Sequence, residues 1–299
     1  MSSVAAFKRD LTQEWGRFQD APPQLKSEFE RKELIGRGAF AEVWRVQDRE
    51  SGCWYALKEL RADCPNPVVG KQLLLNEAEI ATRVDSPHLA RLHGTQASSL
   101  GPRLIFEWLS GDTLESRLAR VGRLGTRESL WIARQCVQAL ADLLTAGFTH
   151  GDIKPSNLFL CRSGLVKLID LGFARPDHRV VDDLSTSLMG TPEYLAPDAL
   201  VPSEQSGAAR DLYALGVTLY RTLTGVTPFQ GASVGEVMRQ QQTHTPAKLR
   251  THLPYVSAEL EGLVERLLSK QPLRRPTGLR SLLHELVGME LQSIRGQAS

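Results

Sequence analysis

The sequence predicts an α+β protein in which a small strand-rich part with one main helix precedes a larger helical part. The first observation is a series of short apolar runs between residues 29 and 60 that are separated by glycine turns, a pattern typical of antiparallel strands. The second is a helical pattern over residues 68–84, and the third is the mainly helical periodicity from residue 113 onward. We therefore predict boundaries at 29–109 and 110–292, between an N-terminal extension (1–28) and a short tail (293–299).

The strands of the first part can be placed from its turns. Strands run from Phe29 to about Leu60, with a glycine turn over residues 36–41 and a second turn at Ser51 and Gly52. The helix over residues 68–84 is followed by Pro87, which favours its end there. Further strands are predicted at Leu89–Leu92 and Arg103–Trp108, and a connector at Ser110–Asp112.

The second part is predicted from its helical periodicity. A strongly apolar helix over residues 208–222 contains Asp211 and is too short to span a membrane, so it is interpreted as a buried central helix. The irregular stretch of residues 173–193 has a length that is typical of functional loops. The other predicted helices cover residues 114–119, 126–146, 232–242, 257–270 and 277–292, with short strands at 158–160 and 166–169.

The N-terminal extension has a pattern of its own. Phe7, Leu11, Trp15 and Phe18 recur at helical spacing, and Pro22-Pro23 ends the pattern. Such an amphipathic helix could pack on the main domain or dock a partner protein, and the sequence leaves both readings open.

Composition excludes several classes of function. The chain has 299 residues, of which 41% are hydrophobic and 23% charged, as in an ordinary soluble protein. A net charge of +2 without a long basic run gives no electrostatic reason to expect nucleic-acid binding. Neither a signal peptide nor a stretch of ~20 apolar residues is present, and the four cysteines are scattered without metal-binding or redox spacing. We expect a cytoplasmic protein with reduced thiols.

The stretch His150–Asn157 contains several candidate catalytic side chains within eight residues. Asp152, Lys154 and Asn157 lie within it, between a helical pattern and an apolar run, and Asp170 follows thirteen residues after Asn157. Phosphoryl transfer needs a carboxylate that accepts a hydroxyl proton, a lysine beside the phosphoryl group, and oxygen ligands for magnesium. A single Asp or Asn is more often a loop cap, so the argument depends on the set.

Several motifs occur in the same order along the chain as in the eukaryotic-type serine/threonine protein kinase family, which the sequence resembles over residues 30–290. Gly151 and the single-domain layout also resemble bacterial members of that family. The resemblance implies a bilobal fold with ATP bound between the lobes. It also implies that Gly36 and Gly38 belong to the glycine-rich loop, with Ala41 in place of a third glycine. Lys58 would hold the α- and β-phosphates and pair with Glu77, for which Glu79 is the competitor. Adenine would meet the backbone of Glu107 and Leu109, with Val43 and Ala56 above it and Phe106 limiting the depth of the pocket.

The same resemblance implies roles in the second part. Asp152 corresponds to the catalytic base, Lys154 to the lysine at the γ-phosphate, and Asn157 and Asp170 to magnesium ligands. Thr191 lies in the substrate-facing segment, and Asp211 is the anchor of the catalytic loop. Asp198 replaces the usual Glu that pairs with Arg275, and being one methylene shorter it predicts a longer or weaker pair.

Two positions depart from the family's pattern. Leu171 replaces a common Phe after the metal-binding Asp, which is a frequent and harmless change. Gly151 replaces the Arg that usually pairs with a phosphorylated activation loop. We therefore expect activity that does not depend strictly on phosphorylation of Ser185, Thr186 or Ser187.

The resulting hypothesis is a kinase that uses ATP and Mg²⁺ to phosphorylate Ser and Thr hydroxyls of protein substrates. A small-molecule kinase of the aminoglycoside type is an alternative because His-Gly-Asp occurs in its catalytic loop, whereas Lys154 and the segment from Gly190 to Pro197 favour protein substrates. A pseudokinase scaffold is a second alternative, although all four catalytic groups are present.

Overall fold

The computed structural model describes residues 22–177, 191–200 and 207–295, and these divide into two compact units. The first unit comprises residues up to 110 together with residues 170–174, and the second comprises residues 111–169 and those from 175 onward. The predicted N-terminal helix and the residues Ser185, Thr186 and Ser187 lie outside the described residues.

The first unit is built on an antiparallel sheet with five strands among its described residues. The strands are β1 (Phe29–Arg37), β2 (Ala41–Asp48), β3 (Trp54–Leu60), β4 (Leu92–Ala97) and β5 (Pro102–Glu107). Their order in the sheet is β1-β2-β3-β5-β4. The predicted strand at Leu89–Leu92 is wrong, because Leu89 forms only an isolated β-bridge after a turn closed by its N–H and the Ser86 carbonyl (3.2 Å), and the strand begins at Leu92.

Helix α1 (Pro67–Arg83) covers one face of this sheet. It begins where the Asn66 side chain accepts a hydrogen bond from the Val69 N–H (3.2 Å), with Pro67 in the first turn. Its buried face carries Leu74, Leu75 and Ala78, which form a core cluster with strand residues such as Leu104. This packing places the Glu-bearing helix over β3.

The opposite face of the sheet is covered by residues 22–28, which we call the strap. Leu25 packs against a second cluster formed by Val46, Leu57 and Ile105, each 2% exposed or less. The strap also bonds to β4, since the Leu25 N–H donates to the Thr95 carbonyl (2.9 Å) and the Thr95 N–H to the Pro23 carbonyl (2.8 Å). These residues, predicted as part of the extension, thus complete the core of the first unit.

The second unit is mainly helical, with short strands that shape its loops. Gly111 and Asp112, predicted as a connector, belong to a strand because they pair with Cys161 and Leu160. The helices are α2 (Leu114–Val121), α3 (Thr126–Thr145), α4 (Gly207–Thr224), α5 (Val234–Thr243), α6 (Leu249–His252), α7 (Ala258–Leu267) and α8 (Leu279–Arg295). The strands are β6 (Gly111–Thr113), β7 (Phe148–Thr149), β8 (Leu158–Cys161), β9 (Val166–Leu168) and β10 (Arg175–Pro176).

Helix α4 forms the centre of this unit, as the apolar pattern predicts. Nearly every side chain along it is buried, including Tyr213 and Val217, which have no exposed surface. At Gly216 an added Cβ would lie 2.7 Å from the Leu267 Cβ, so glycine permits α4 and α7 to approach closely. Among the described residues, no helix is both long and apolar enough to cross a membrane.

Candidate active site

Lys58 in β3 forms the centre of the charged cluster of the first unit. Its Nζ lies 2.7 Å from the Glu77 Oε2 and 2.9 Å from the Asp170 Oδ1. Of the two glutamates that could pair with Lys58, Glu77 is the one that does, whereas Glu79 pairs with Arg83 one turn along the helix (2.9 Å). The lysine therefore has two carboxylate partners, one of them on a buried face of α1.

Burial and charge act against each other in this cluster. Burial and the neighbouring Asp170 carboxylate raise the pKa of Glu77, and the Lys58 ammonium opposes that rise. Burial lowers the pKa of Lys58, but the carboxylates of Asp170 and Glu77 outweigh it and raise that pKa above its ordinary value. We take the pair as ionised, because a buried ammonium between two carboxylates at under 3 Å keeps its proton.

The backbone around Asp170 is held in a costly conformation. Asp170 has a φ of +70°, in the left-handed region that costs a residue with a Cβ about 1–2 kcal/mol. Two side chains of α1 hold the segment: the Glu77 Oε1 accepts from the Leu171 N–H (3.3 Å), and the Asn76 Nδ2 donates to the carbonyls of Gly172 (2.9 Å) and Ala174 (2.7 Å). Asn76 was not among the predicted site residues, since only the tertiary fold brings it to this segment.

The glycine turn between β1 and β2 does not need its glycines for the fold itself. A Cβ at Gly36 would come no closer than 3.8 Å to Val43, and one at Gly38 would lie 3.5 Å from the Ala41 carbonyl oxygen, both ordinary contacts. The turn is closed by the Gly38 N–H and the Ala41 carbonyl (2.8 Å) and by Arg61, whose Nη1 donates to the Gly38 carbonyl (2.8 Å). Glycine here therefore fits a role in admitting a ligand close to the backbone.

Three residues of the predicted adenine pocket, Val43, Ala56 and Phe106, share one face of the sheet. Val43 lies opposite Lys58, and Ala56 lies opposite Phe106, so these side chains point to the same side as the lysine. Phe106 is 9% exposed and belongs to the cluster beneath α1. The Glu107 N–H donates to the Arg91 carbonyl (2.9 Å), so this N–H is already used within the first unit.

Two side chains of the second unit, those of Lys154 and Asn157, contact Asp152. The Lys154 Nζ lies 2.8 Å from the Asp152 Oδ2, and the Asn157 Nδ2 donates to the same oxygen (2.9 Å) and to the Asp152 carbonyl (2.8 Å). The Lys154 Nζ also donates to the Thr191 Oγ1 (3.1 Å). The carboxylate is thus held in one orientation by two donors, and the lysine joins it to the segment that begins at Thr191.

The backbone of the loop that carries Asp152 is held by the Asp211 side chain of α4. The Asp211 carboxylate accepts hydrogen bonds from the backbone N–H groups of His150 (2.7 Å) and Gly151 (2.8 Å). Burial raises the pKa of Asp211 to about 6, and the two N–H bonds oppose that rise because they stabilise the ionised form. Gly151 itself has a φ of +78°, which glycine adopts without steric cost.

Comparison with known proteins agrees with this geometry. The family model described as the protein kinase domain matches residues 29–287. This chain belongs to the protein kinase domain family. The predicted fold class and the family resemblance are thereby confirmed.

Relatives of this protein kinase domain occur in bacteria and in a plant. A probable serine/threonine-protein kinase of Streptomyces coelicolor is 31% identical over 259 residues, which are 85% of this chain and 38% of the relative. The serine/threonine-protein kinase PknA of Mycobacterium tuberculosis is 29% identical over 84% of this chain and 58% of its own length. A 3-phosphoinositide-dependent protein kinase of Arabidopsis thaliana is 30% identical over 83% of this chain and 52% of its own. The chain thus spans between about two fifths and three fifths of the length of these curated relatives.

The ion pair between Asp198 and Arg275 in this kinase domain is shorter than the sequence predicted. The pair was predicted to be longer or weaker because Asp is shorter than Glu, but the Asp198 Oδ1 lies 2.5 Å from the Arg275 Nη2. Arg210 adds a second contact, with its Nε 3.2 Å from the Asp198 Oδ2. The shorter side chain is compensated because Arg275 is fully buried and is anchored by the carbonyls of Ala209 (2.8 Å) and Ser269 (3.0 Å).

Other side chains that fix the segment Thr191–Tyr194 of this kinase domain were not predicted. The Arg221 Nη1 donates to the Tyr194 hydroxyl (2.7 Å), and the same guanidinium forms a bidentate pair with Glu115 (2.8 and 2.6 Å). Gln241 of α5 donates to the carbonyls of Pro192 and Glu193, each at 2.8 Å. Glu115, Arg221 and Gln241 are far apart in the sequence, and no motif connects them.

Proposed function

We propose that this chain transfers the γ-phosphoryl group of ATP to Ser and Thr hydroxyls of protein substrates. The observation that carries the proposal is the position of the Lys154 ammonium, 2.8 Å from the Asp152 carboxylate and 3.1 Å from the Thr191 hydroxyl. A lysine beside the catalytic carboxylate suits a migrating phosphoryl group. Its link to Thr191 favours a protein substrate over a small molecule, because Thr191 begins the segment that resembles a peptide-docking surface.

Asp152 is the proposed proton acceptor. Its carboxylate orients the substrate hydroxyl and takes its proton, while the hydroxyl oxygen bonds to the γ-phosphorus and the bond to the ADP oxygen breaks. Lys154 offsets negative charge on the transferred group. Lys154 and Asn157 both contact the Asp152 Oδ2, so they would hold the carboxylate in place for the substrate hydroxyl.

The first unit supplies the proposed nucleotide contacts. Lys58, held by Glu77, would bind the α- and β-phosphates, and the backbone of the turn at Gly36 and Gly38 would cover the phosphates. Adenine would lie against Val43 and Ala56 and bond to the backbone of Glu107 and Leu109.

Magnesium fits the oxygen donors that are present. The Asn157 Nδ2 donates to Asp152, so the Asn157 Oδ1 is the atom of that amide that would bind the ion. Asp170 would supply a carboxylate oxygen as the second ligand. Within residues 22–177, 191–200 and 207–295, no group of three or more His, Cys, Asp or Glu side chains could hold a metal on its own. That arrangement is typical of magnesium, which is usually bound by one or two protein oxygens together with phosphates and water. When bound, the ion would neutralise charge on the phosphates.

Replacement of Asp152 tests the proposal. Asp152→Asn keeps the shape but removes the proton acceptor, so we expect phosphate incorporation into dephosphorylated casein with Mg²⁺ and ATP to fall at least about a hundredfold. ATP binding, measured by calorimetry, should change little. The matched control is Asp112→Asn, which alters an exposed aspartate paired with Arg120 and should leave turnover unchanged.

Three results would contradict the proposal. The first is appreciable turnover by the Asp152→Asn variant. The second is phosphate transfer by the unaltered chain to aminoglycosides but not to casein, which would support the small-molecule alternative. The third is binding of ATP without turnover on either substrate, which would support the pseudokinase alternative.

A further inference from the structure

Gln241 is a buried amide on a helix that otherwise buries an apolar side chain. The buried side chains of α5 are Val237 (5% exposed) and Gln241 (1% exposed), one turn apart on the same face. Burial of a side-chain amide costs free energy unless it is hydrogen-bonded. Because an apolar residue would fill the position more cheaply, the bonds that Gln241 makes are the reason for a glutamine here.

Both bonds of Gln241 go to one short segment. Its Nε2 donates to the carbonyl of Pro192 and to the carbonyl of Glu193, each at 2.8 Å, in the 3₁₀ turn Pro192–Tyr194. These are backbone groups, so the glutamine fixes the path of the chain at Pro192 and Glu193 whatever their side chains do.

The segment Thr191–Tyr194 is therefore held at three places. The Lys154 ammonium donates to the Thr191 hydroxyl (3.1 Å), Gln241 holds the two middle carbonyls, and Arg221 donates to the Tyr194 hydroxyl (2.7 Å). The first contact joins the segment to the catalytic loop, and the other two join it to α5 and α4. Gln241 is the member that acts on the backbone between the two ends.

We propose that Gln241 is a positioning residue for the protein substrate. By fixing the backbone at Pro192 and Glu193, it holds the surface on which the substrate chain docks beside Asp152, without itself touching the reacting atoms. This inference rests on the proposed function and adds a residue of α5 to the determinants of substrate binding. It predicts an effect on the KM for protein substrate rather than on the KM for ATP.

Steady-state kinetics with casein and ATP tests the proposal. Gln241→Leu removes both donors at similar volume, so we expect the KM for casein to rise about tenfold, as two lost neutral hydrogen bonds suggest. The KM for ATP and kcat should change less than about threefold, since Asp152, Lys154 and Lys58 keep their own contacts. Gln242→Leu is the matched control, because it makes the same change at the exposed neighbouring residue and should match the unaltered chain.

A second variant and a second measurement keep the proposal testable if Gln241→Leu folds poorly. Gln241→Glu keeps the shape but turns carboxylate oxygens toward two carbonyls. Its KM for casein should be raised at about pH 8 and partly recover at about pH 6, where protonation restores one donor. Hydrogen exchange of the backbone amides of residues 193–195 should be faster in both variants than in Gln242→Leu, whether or not casein is present.

The outcomes separate this inference from the proposed function. If the unaltered chain does not phosphorylate casein, the proposed function fails and the inference fails with it. If the unaltered chain does so and folded Gln241→Leu retains its KM for casein, only the inference is overturned. A rise in the KM for ATP equal to that for casein would also overturn it, because that result indicates general loosening of the fold.

Discussion

Glu77 and Glu79 show how a displacement of two residues along a helix changes which partner a side chain contacts. Two positions differ by about 200° around an α-helix, so the two carboxylates face nearly opposite sides of α1. Glu77 is 2% exposed and contacts Lys58, whereas Glu79 pairs with Arg83 at the surface of the same helix. The two residues therefore offer a matched pair of substitutions with the same chemistry and different surroundings.

We predict that Glu77→Gln lowers kcat/KM for phosphate transfer by about a hundredfold, because the neutral amide no longer fixes the Lys58 ammonium. Glu79→Gln should remain within about twofold of the unaltered chain, since it loses only a helix-surface pair. Steady-state kinetics with varied ATP gives both values. Equal activities of the two variants would contradict the assigned pairing.

Lys270 supplies a prediction about pH. Its ammonium lies 4.0 Å over the Phe229 ring, where burial and the charge of Arg275 lower its pKa to about 8. The unfolded chain keeps that proton up to about pH 10.4. Between these values the folded state binds fewer protons than the unfolded state, so the free energy of unfolding gains from this group as pH rises from about 8 to about 10.

We therefore expect Lys270→Gln to lose this gain. After allowance for solvent screening, the difference in unfolding free energy between the unaltered chain and the variant should shift by about 1 kcal/mol between about pH 7.5 and pH 10. Urea denaturation at the two pH values measures it. Lys248→Gln, at a side chain that is 64% exposed, should run parallel to the unaltered chain. A parallel course for Lys270→Gln as well would show that the Lys270 amine does not titrate as inferred.

At the scale of elements, the strap covers the second face of the sheet of the first unit and bonds to its edge strand. Leu25 covers the apolar cluster on the sheet face opposite α1, and the strap backbone bonds to the edge strand β4. This close approach is permitted by Gly94, where an added Cβ would lie 2.5 Å from the Pro23 carbonyl oxygen and 2.8 Å from the Leu25 Cγ. Covering an edge strand in this way also removes a site for unwanted strand pairing.

We predict that Gly94→Ala destabilises the chain by about 1–3 kcal/mol, because the strap must move away from β4. The matched control is Gly288→Ala in α8, where an added Cβ meets nothing within 4 Å. That substitution should stabilise by about 0.5–1 kcal/mol, since alanine is the better helix former. Thermal unfolding of the two variants is the measurement, and a neutral Gly94→Ala would mean that the strap is not held against the strand.

At the scale of the whole molecule, Gly151 bears on regulation. Its backbone φ is +78°, a conformation that glycine adopts without steric cost, so the backbone alone accounts for a glycine at this position. A further consequence is that no arginine side chain is present there. The loop that carries Asp152 is held by the Asp211 carboxylate through the backbone N–H groups of His150 and Gly151, and residue 151 contributes no charged side chain. A phosphorylated activation loop would therefore lack its usual partner next to Asp152.

We accordingly expect the triple variant Ser185→Ala, Thr186→Ala, Ser187→Ala to keep phosphate transfer to casein within about threefold of the unaltered chain. Loss of nearly all turnover would overturn this expectation. Treatment of the unaltered chain with a phosphatase before the assay serves as an independent control, because it removes phosphate without changing the sequence.

The fold class, the order of most elements and the charged residues that cluster around Lys58 and Asp152 could be predicted from the sequence alone. These depend on local signals: apolar periodicity, glycine turns, and charged residues at fixed spacing in one loop. The α1 helix, the β1–β3 strands and the buried helix α4 were predicted to within a few residues for this reason. The error at Leu89 arose because a buried apolar side chain was taken as part of a strand, whereas this residue follows a turn and forms only an isolated β-bridge.

Which side chains contact one another depends on how the elements pack. Asn76 at the Asp170 segment, Arg210 beside Asp198, and Gln241 at Pro192 and Glu193 join residues that are 12 to 98 positions apart. A hydrogen bond between such residues leaves no periodic trace in the sequence, because it depends on how two elements pack. The sequence thus supplied the chemical groups, and the packing of elements within each unit supplied the contacts that orient them.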